Sequence, residues 1–231
     1  AGRLDIAAIN APRSLVLSGE SAALDAVLVA LVLAGVSQRM LPVNYAFHSP
    51  QMTALAAELA DRLGSMEARR AQVPMYSAVT GSVVDGRALD AEYWRRNVRD
   101  PVQFAAAVHA ASEGGGRVFL EVGPHPVLTA NIQQCLAETK PDAHVVFTLR
   151  RDGDERRAIL AALGGLYAHG CTADFRGLFP AGGRLASLPT YPWQRERFWF
   201  TASPQRLAGA ERSRSRASHP LIGRALRPAR Q

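Results

Sequence analysis

The sequence predicts an α/β protein with a partial ferredoxin-like small subdomain, a larger α/β core and an extended segment after it. Residues 1–43 follow a strand, strand, helix, strand order, which a ferredoxin-like β-α-β-β-α-β sandwich leaves when its first strand and helix are removed. Helical patterns then alternate with short apolar runs up to residue 150, which favours a parallel sheet. Residues 184–200 hold two prolines and five aromatic residues without helical or strand period, so we expect them to lie extended on another surface.

The small subdomain is predicted from two apolar runs, residues 4–9 and 14–18, which read as strands around a turn. Residues 21–34 carry apolar side chains at spacings of three and four, so we expect a helix that stops at Gly35. Residues 36–43 are predicted to return as a strand. This order predicts that the chain starts within a domain.

The core is predicted to begin with a helix that Ser49 caps and Pro50 opens, because proline fits the first helical position. Its buried stripe is predicted to comprise Met52, Leu55, Leu59, Leu63 and Met66. The next elements are, in order, a strand over 73–79, helices over 88–97 and 101–112, a fully buried strand over 117–122, a helix over 127–137, a strand over 144–149 and a helix over 154–169.

The positive charge of the chain lies at its C-terminal end. The net charge is +7, but residues 201–231 hold seven arginines against one acid, so residues 1–200 are close to neutral. Lys140 is the single lysine among 27 basic residues, a skew that runs through the whole chain and indicates genomic base composition. A basic tail alone is weak support for nucleic-acid binding, and we expect none.

The N-terminus has no charged-then-apolar signal region, and no stretch approaches the roughly 18 apolar residues that a membrane span needs. We therefore expect a cytoplasmic protein without membrane contact. The two cysteines, Cys135 and Cys171, lack paired metal-ligand spacing, so two buried thiols are predicted rather than a disulfide or a metal site.

His48 is the first candidate for chemistry because it lies between a predicted strand and a helix start. Histidine suits general-base work at neutral pH. From this context alone, a structural histidine at a strand end is the favoured interpretation. His125, between two prolines, favours a turn-shaping role, and no Gly-x-Ser-x-Gly, phosphate loop or dinucleotide fingerprint is present.

Six segments, in order, resemble the acyltransferase domain of type I modular polyketide synthases and the regions C-terminal to that domain. Four look like signatures of the C-terminal half of the domain itself: residues 6–20 (IAAINAPRSLVLSGE), 41–52 (LPVNYAFHSPQM), 93–104 (YWRRNVRDPVQF) and 119–128 (FLEVGPHPVL). Residues 188–199 (LPTYPWQRERFW) look like the linker after that domain, and residues 219–224 (HPLIGR) are similar to the first residues of a dehydratase domain.

The resemblance implies an α/β-hydrolase-like acyltransferase core and a two-step transfer. A serine takes an extender acyl group from a coenzyme A thioester and passes it to the phosphopantetheine thiol of an acyl carrier protein. His48 matches the family's catalytic histidine, which deprotonates the serine and later the thiol. Asn97 matches the position that orients this histidine, and as a helix C-cap it could do so through its backbone carbonyl.

The family's nucleophilic serine, its carboxylate-binding arginine and its oxyanion glutamine would all lie upstream of residue 1. We therefore expect a fragment that transfers nothing by itself and, with strands missing from its sheet, is prone to aggregate. Tyr45, Ala46 and Phe47 match the family's specificity motif as a hybrid of its malonyl and methylmalonyl forms. Phe47 fills space that an α-methyl group would need, which favours malonyl, with relaxed specificity as the alternative.

The predicted domains are residues 1–43 (partial ferredoxin-like subdomain), 44–150 (part of the acyltransferase core), 151–200 (linker), 201–218 (flexible Arg/Ser/Ala linker) and 219–231 (start of a dehydratase domain). The implied partners are the acyl carrier protein and the neighbouring ketosynthase and dehydratase domains of a synthase that would be a homodimer. No metal or bound cofactor is implied beyond the coenzyme A and phosphopantetheine thioesters. An alternative function is an interdomain scaffold, in which residues 151–200 dock against a ketosynthase without catalysis.

Overall fold

The computed structural model describes residues 4–184, 186–197, 218–219 and 223–224, and confirms an α/β fold. The chain divides into two compact units, Ala1–Leu178 and Phe179–Gln231. The predicted boundaries after residues 43 and 150 fall inside the first unit and stay predictions of subdomains. None of the helices in the described residues is long and apolar enough to cross a membrane.

The first unit opens with an antiparallel hairpin, β1 (Leu4–Ala11) and β2 (Ser14–Gly19), followed by helix α1 (Ser21–Leu33). These three elements confirm the predicted strand, strand, helix order. The strand predicted over residues 36–43 is wrong, since these residues form neither helix nor strand. A polar run at residues 37–39 interrupts the apolar pattern, and Pro42 has no N–H to give to a ladder.

Helix α1 is apolar around its whole circumference but buries no residue. Leu33 has 84% of its surface exposed, and Val29 and Val32 are exposed as well. A helix that is hydrophobic all round is typical of one covered on several sides. Here one face is half-buried, at Leu24, Val27, Leu28 and Leu31, and the rest of the helix faces solvent.

We expect the isolated chain to self-associate with rising concentration, because exposed apolar surface of this kind drives association. Leu33→Glu should lower the association measured by sedimentation velocity, whereas Gln72→Glu, at an exposed polar position, should not. A chain that stays monomeric at every concentration, or an equal effect of both substitutions, would contradict this expectation.

Helix α2 (Thr53–Leu63) follows a 3₁₀ turn over Pro50–Met52 and packs on helix α3 (Ala91–Arg99). Met52 of the turn and Ala56 of the helix are buried, so the predicted stripe is wrong at Leu55, which is 53% exposed, and at Met66, which is 36% exposed and lies beyond the end of the helix. Ala56, which is small and fully buried, occupies the position predicted for Leu55, so the packed face of the helix differs from the predicted one by one residue. In the sequence, a short antiparallel hairpin lies between α2 and α3. Its strands are β3 (Met75–Ser77) and β4 (Ser82–Val84), of which only β3 was predicted.

The core of the first unit lies where β1 meets helices α4 (Phe104–Glu113) and α5 (Thr129–Leu136) and strands β5 (Val118–Glu121) and β6 (His144–Phe147). Its buried cluster is Ala11, Val108, Ile132, Cys135 and Leu136. Strands β5 and β6 are parallel, as predicted, and helix α6 (Glu155–Ala168) packs on β6. In the described residues each strand pair is a separate two-stranded sheet, and the pairs other than β5 and β6 are antiparallel, so the predicted parallel pairing of strands is found at β5 and β6.

Strand β5 departs from the expectation of full burial. Val122, which follows it, is 78% exposed, and Leu120 is exposed too. At the end of the strand the buried residue is instead Glu121, which carries a carboxylate.

The predicted helix over 101–112 begins later than expected, at Phe104. Val102 instead forms a parallel bridge to Ala8 of β1. This pairing holds residues 101–103 in an extended conformation, so that Pro101 precedes α4 rather than opening it.

The two cysteines are free, as predicted. Cys135 is buried and its thiol donates to the carbonyl oxygen of Asn10 at 3.4 Å. Burial raises the pKa of the Cys135 thiol, which keeps it protonated. Cys171 is only partly buried, so the expectation of two buried thiols holds for one of them.

In the second unit, residues 188–197 form neither helix nor strand, and their large apolar side chains are exposed. The Tyr191 and Trp193 rings meet edge to face with centroids 5.1 Å apart. Strands β7 (Ser218–His219) and β8 (Gly223–Arg224) pair antiparallel. Of the flexible linker predicted over 201–218, residues 201–217 lie outside the described residues, whereas Ser218 belongs to β7. Most of the dehydratase-like segment also lies outside the described residues.

Candidate active site

His48 lies immediately before the 3₁₀ turn that leads into α2, with a backbone φ of +58°. A non-glycine residue in this left-handed region carries on the order of 1 to 3 kcal/mol of strain and is held there by its surroundings. Ser49, which is 1% exposed, helps to hold the His48 backbone in this conformation. Its hydroxyl donates to the Ala46 carbonyl at 2.7 Å and accepts from the Gln51 N–H at 3.3 Å.

The half-buried imidazole of His48 is fixed by the end of α3. Its Nδ1 lies 3.0 Å from the main-chain carbonyl oxygen of Asp100, and its main-chain N–H donates to the Val98 carbonyl at 3.3 Å. A carbonyl oxygen can only accept, so the proton of the neutral ring resides on Nδ1. Nε2 is then left with its lone pair as the proton acceptor.

This arrangement has the chemistry of a general base without a carboxylate partner. The carbonyl oxygen of Asp100 does what a third triad member does: it selects the tautomer and holds the ring plane. His48 can therefore accept a proton at Nε2 from a hydroxyl or thiol that comes within hydrogen-bond distance of this nitrogen.

Two aromatic rings lie beside this histidine. The Tyr45 and Phe47 ring centroids are 5.7 Å apart, and those of Phe47 and His48 are 6.5 Å apart. Phe47 is 45% exposed and Tyr45 69% exposed, while Ala46 between them is half-buried. The rings of Tyr45 and Phe47, two of the three predicted specificity residues, thus lie next to each other, and the Phe47 ring lies next to the imidazole.

Asn97 lies on α3, but the predicted contact between its carbonyl and His48 is made by another residue. The structure gives that contact to Asp100, which is also the C-cap of α3, so the C-cap assignment of Asn97 is wrong. The side chain of Asn97 is exposed, one turn before the cap. Residue-type patterns missed Asp100 because a backbone acceptor has no side-chain signature, and the available signal was the proline after it.

Two side-chain contacts hold the end of α3. The Arg96 guanidinium pairs with the Asp100 carboxylate at 3.1 Å, and Arg99 Nε donates to the Thr53 hydroxyl of α2 at 3.2 Å. Both partners of the ion pair are partly exposed, so its free-energy contribution is small. The Arg99–Thr53 hydrogen bond joins α3 to α2, the two helices that flank His48, whereas the Arg96–Asp100 ion pair lies within the end of α3.

Glu121 organises a second polar cluster, at the end of β5. Its carboxylate accepts from the main-chain N–H groups of Val127, Leu128 and Thr129 at 2.7 to 3.0 Å and from the Thr129 hydroxyl at 2.6 Å. Burial by itself raises the pKa of the Glu121 carboxyl, but these four hydrogen bonds outweigh it and hold that pKa below its ordinary value. Glu121 is therefore an anion that caps the start of α5 and closes the loop over residues 123–128.

Three other histidines make structural contacts. His125 Nδ1 accepts the main-chain N–H of Arg151 at 3.2 Å, in keeping with its predicted turn-shaping role. The rings of His144 and His169 stack with centroids 3.6 Å apart. Within the described residues no three metal-binding side chains converge.

The chain matches the acyl transferase domain family over residues 2–172. A curated relative, the spectinabilin polyketide synthase system protein NorA' of Streptomyces orinoci, is 42% identical over 202 residues, which are 87% of this chain and 6% of that protein.

Solved structures of acyltransferases are also similar to this chain. The acyltransferase domain from module 8 of the salinomycin polyketide synthase superposes with a TM-score of 0.72 at 39% identity, over 75% of this chain and 41% of that one. The malonyl-CoA:acyl carrier protein transacylase of Xanthomonas oryzae superposes with a TM-score of 0.58 at 26% identity, over 69% of this chain and 49% of that one. This chain therefore spans less than half of each of these two solved chains.

Proposed function

Because this chain belongs to the acyl transferase domain family and resembles the domains of modular polyketide synthases, we propose that it supplies the general base of an enzyme that moves an acyl group from a coenzyme A thioester to an acyl carrier protein. The single observation that carries the proposal is the Nδ1 to Asp100 carbonyl distance of 3.0 Å, which leaves Nε2 of His48 free to accept a proton.

His48 would act twice. It takes the proton of a serine hydroxyl as that oxygen attacks the thioester carbonyl, and returns it to the departing coenzyme A thiolate. It then takes the proton of the phosphopantetheine thiol, whose sulfur attacks the acyl-serine, and returns it to the serine oxygen. Asp100 orients the ring in both steps, and Asn97 remains a predicted positioning residue that acts through α3.

The proposed substrates are inferred from this chemistry and from the resemblance of the chain to a malonyl-CoA:acyl carrier protein transacylase. Coenzyme A and phosphopantetheine thioesters are the acyl donor and acceptor, and the carrier protein is the partner. A ketosynthase and a dehydratase domain on the same polypeptide, in a homodimeric synthase, are further proposed partners. The direct test is transfer of labelled malonyl from coenzyme A to carrier protein by the complete encoded polypeptide.

We expect residues 1–231 alone to transfer no acyl group, since their sequence does not contain the Gly-His-Ser-x-Gly nucleophile motif of the family. The chain expressed alone should stay at the uncatalysed rate with malonyl-CoA and carrier protein, while the complete polypeptide turns over. Transfer by residues 1–231 alone would contradict the assignment of an external nucleophile.

Phe47 would favour malonyl over methylmalonyl, because its ring fills space beside His48 that an α-methyl group would occupy. Phe47→Ser should raise methylmalonyl incorporation about tenfold relative to malonyl when both thioesters compete, since a misfit methyl group in a pocket is worth about 1 to 3 kcal/mol. Phe179→Ser, at an exposed position outside the first unit, is the matched control. An unchanged extender ratio in Phe47→Ser would refute the steric argument.

The scaffold alternative is favoured by one observation on its own segment. Leu188, Tyr191 and Trp193 are all strongly exposed in a segment without helix or strand, which suits a surface that docks on another domain. This role concerns the linker and is compatible with catalysis by the first unit. Triple substitution of these residues by Ser should leave acyl transfer from coenzyme A to the carrier protein intact and reduce the condensation that a neighbouring ketosynthase carries out on the loaded carrier protein.

A further inference from the structure

Asp100 changes direction where α3 ends. Its main-chain N–H still belongs to the helix and donates to the Arg96 carbonyl at 2.7 Å, but its backbone is extended, with φ of −84° and ψ of 156°. In a helical conformation the carbonyl would lie along the helix axis. The extended ψ turns it aside, and it meets Nδ1 of His48.

The next residue explains this conformation. Proline disfavours the helical region for the residue before it, because its Cδ collides with that residue's N–H and Cβ. It also has no N–H with which to continue the helical ladder. Pro101 therefore excludes the conformation in which the Asp100 carbonyl would point away from His48.

The far side of Pro101 is fixed as well. Val102 donates its N–H to the Ala7 carbonyl at 2.8 Å and accepts from the Ile9 N–H at 2.9 Å, and the Gln103 N–H donates to the Ala78 carbonyl at 2.6 Å. Pro101 is thus a one-residue link between the end of α3 and a segment paired to β1. A link with a fixed φ between two anchored neighbours leaves the Asp100 carbonyl little freedom.

We propose that Pro101 is a positioning residue for His48: it aims the Asp100 carbonyl at Nδ1 and so holds the ring in the tautomer whose Nε2 accepts the proton. The catalytic consequence rests on the proposed function, whereas the tautomer does not. Replacing Pro101 with Ala admits the helical conformation at Asp100 and adds an N–H that can bond the Asn97 carbonyl. The Asp100 carbonyl then turns toward the helix axis, and His48 loses its acceptor.

The first test is ¹⁵N NMR of the ring nitrogens of His48 above the titration range of histidine. The wild-type chain should show the Nδ1–H tautomer, and Pro101→Ala should convert at least half of the population to Nε2–H. Pro141→Ala is the matched control, because Pro141 lies in an exposed turn between α5 and β6 and its loss has the same effect on the unfolded chain. A wild-type ring in the Nε2–H form, or a Pro101→Ala ring that keeps Nδ1–H, would overturn the proposal.

Asp100→Gly is a second variant for the case that Pro101→Ala does not fold. It keeps the proline but removes the Cβ, one of the two groups with which the proline collides, so a smaller shift toward the Nε2–H tautomer is expected. Retention of Nδ1–H in this variant counts against the proposal, and so does a wild-type ring protonated on Nε2, which requires no variant.

The second test measures acyl transfer by the complete encoded polypeptide. Pro101→Ala should lower kcat about ten- to a hundredfold with KM for the thioester unchanged, because small displacements of a base cost this much. A fall in kcat without a change of tautomer would overturn the positioning role. A change of tautomer in Pro101→Ala, together with a wild-type polypeptide that transfers no acyl group, would instead refute the proposed function and leave the positioning role intact.

Discussion

We expect His48→Ala to lower the rate of acyl transfer by the complete encoded polypeptide at least a hundredfold. General-base catalysis contributes typically about 10² to 10⁴-fold, and an alanine methyl cannot take the proton of the serine or of the phosphopantetheine thiol. The fall should be in kcat, with KM for the thioester close to wild type, because the ring acts on the reacting proton rather than on the bulk of the substrate.

The control for this result is His169→Ala. His169 is exposed at the end of α6 and contacts His144 rather than any part of the candidate site. It should transfer acyl groups at the wild-type rate, which separates loss of the base from a general effect of removing an imidazole. Equal rates for wild type and His48→Ala would exclude His48 as the base.

Glu121→Ala is expected to lower the free energy of unfolding of the first unit by about 3 kcal/mol or more. The carboxylate is 8% exposed and is the acceptor for three main-chain N–H groups and one hydroxyl. A fully buried donor left without a partner costs about 1 to 3 kcal/mol, and because these four donors are only partly buried, water recovers part of the total. Glu138→Ala, at an exposed position on the loop after α5, should change the free energy of unfolding by less than about 0.5 kcal/mol.

The stabilisation by Glu121 should also depend on pH in one direction. Since its pKa in the folded chain lies below the unfolded value, the contribution is fully present above the unfolded pKa and is lost as pH falls through the folded one. Urea unfolding should therefore show the difference between wild type and Glu121→Gln shrinking from neutral pH toward strong acid. A difference that is constant with pH, or an Ala variant no less stable than Glu138→Ala, would contradict the anionic cap.

The helices could be predicted where caps and apolar periodicity agree. The helix expected over 154–169 occurs at Glu155–Ala168, because the Asp154 carboxylate accepts the Arg157 N–H at 2.9 Å and fixes its start. The strands were harder to predict because they depend on partners that are distant in the sequence. Strand β4 has only three residues and exists through its pairing with β3 across a turn in which Gly81 has φ of +71°.

The side chain at the centre of the candidate site could be predicted, whereas the group that orients it could not. His48 is identified by its residue type, by its place before Pro50 and by the resemblance. Asp100 acts through its backbone, and which carbonyl reaches the ring depends on where α3 stops. The dipeptide Asp100-Pro101 marks in the sequence where α3 ends. The contact between the Asp100 carbonyl and His48 could not be predicted from it, because that contact forms only where the folded chain places α3 beside the loop at residue 48.

The most direct measurement is single-turnover loading of the complete encoded polypeptide with radiolabelled malonyl-CoA, followed by a chase with phosphopantetheinylated carrier protein. The account predicts that label first appears on the polypeptide as an ester and then moves to the carrier protein, with both steps slowed at least a hundredfold in His48→Ala. A polypeptide that never acquires label, or label that is acquired and passed on at the same rate without His48, would contradict the assignment of this chain to acyl transfer.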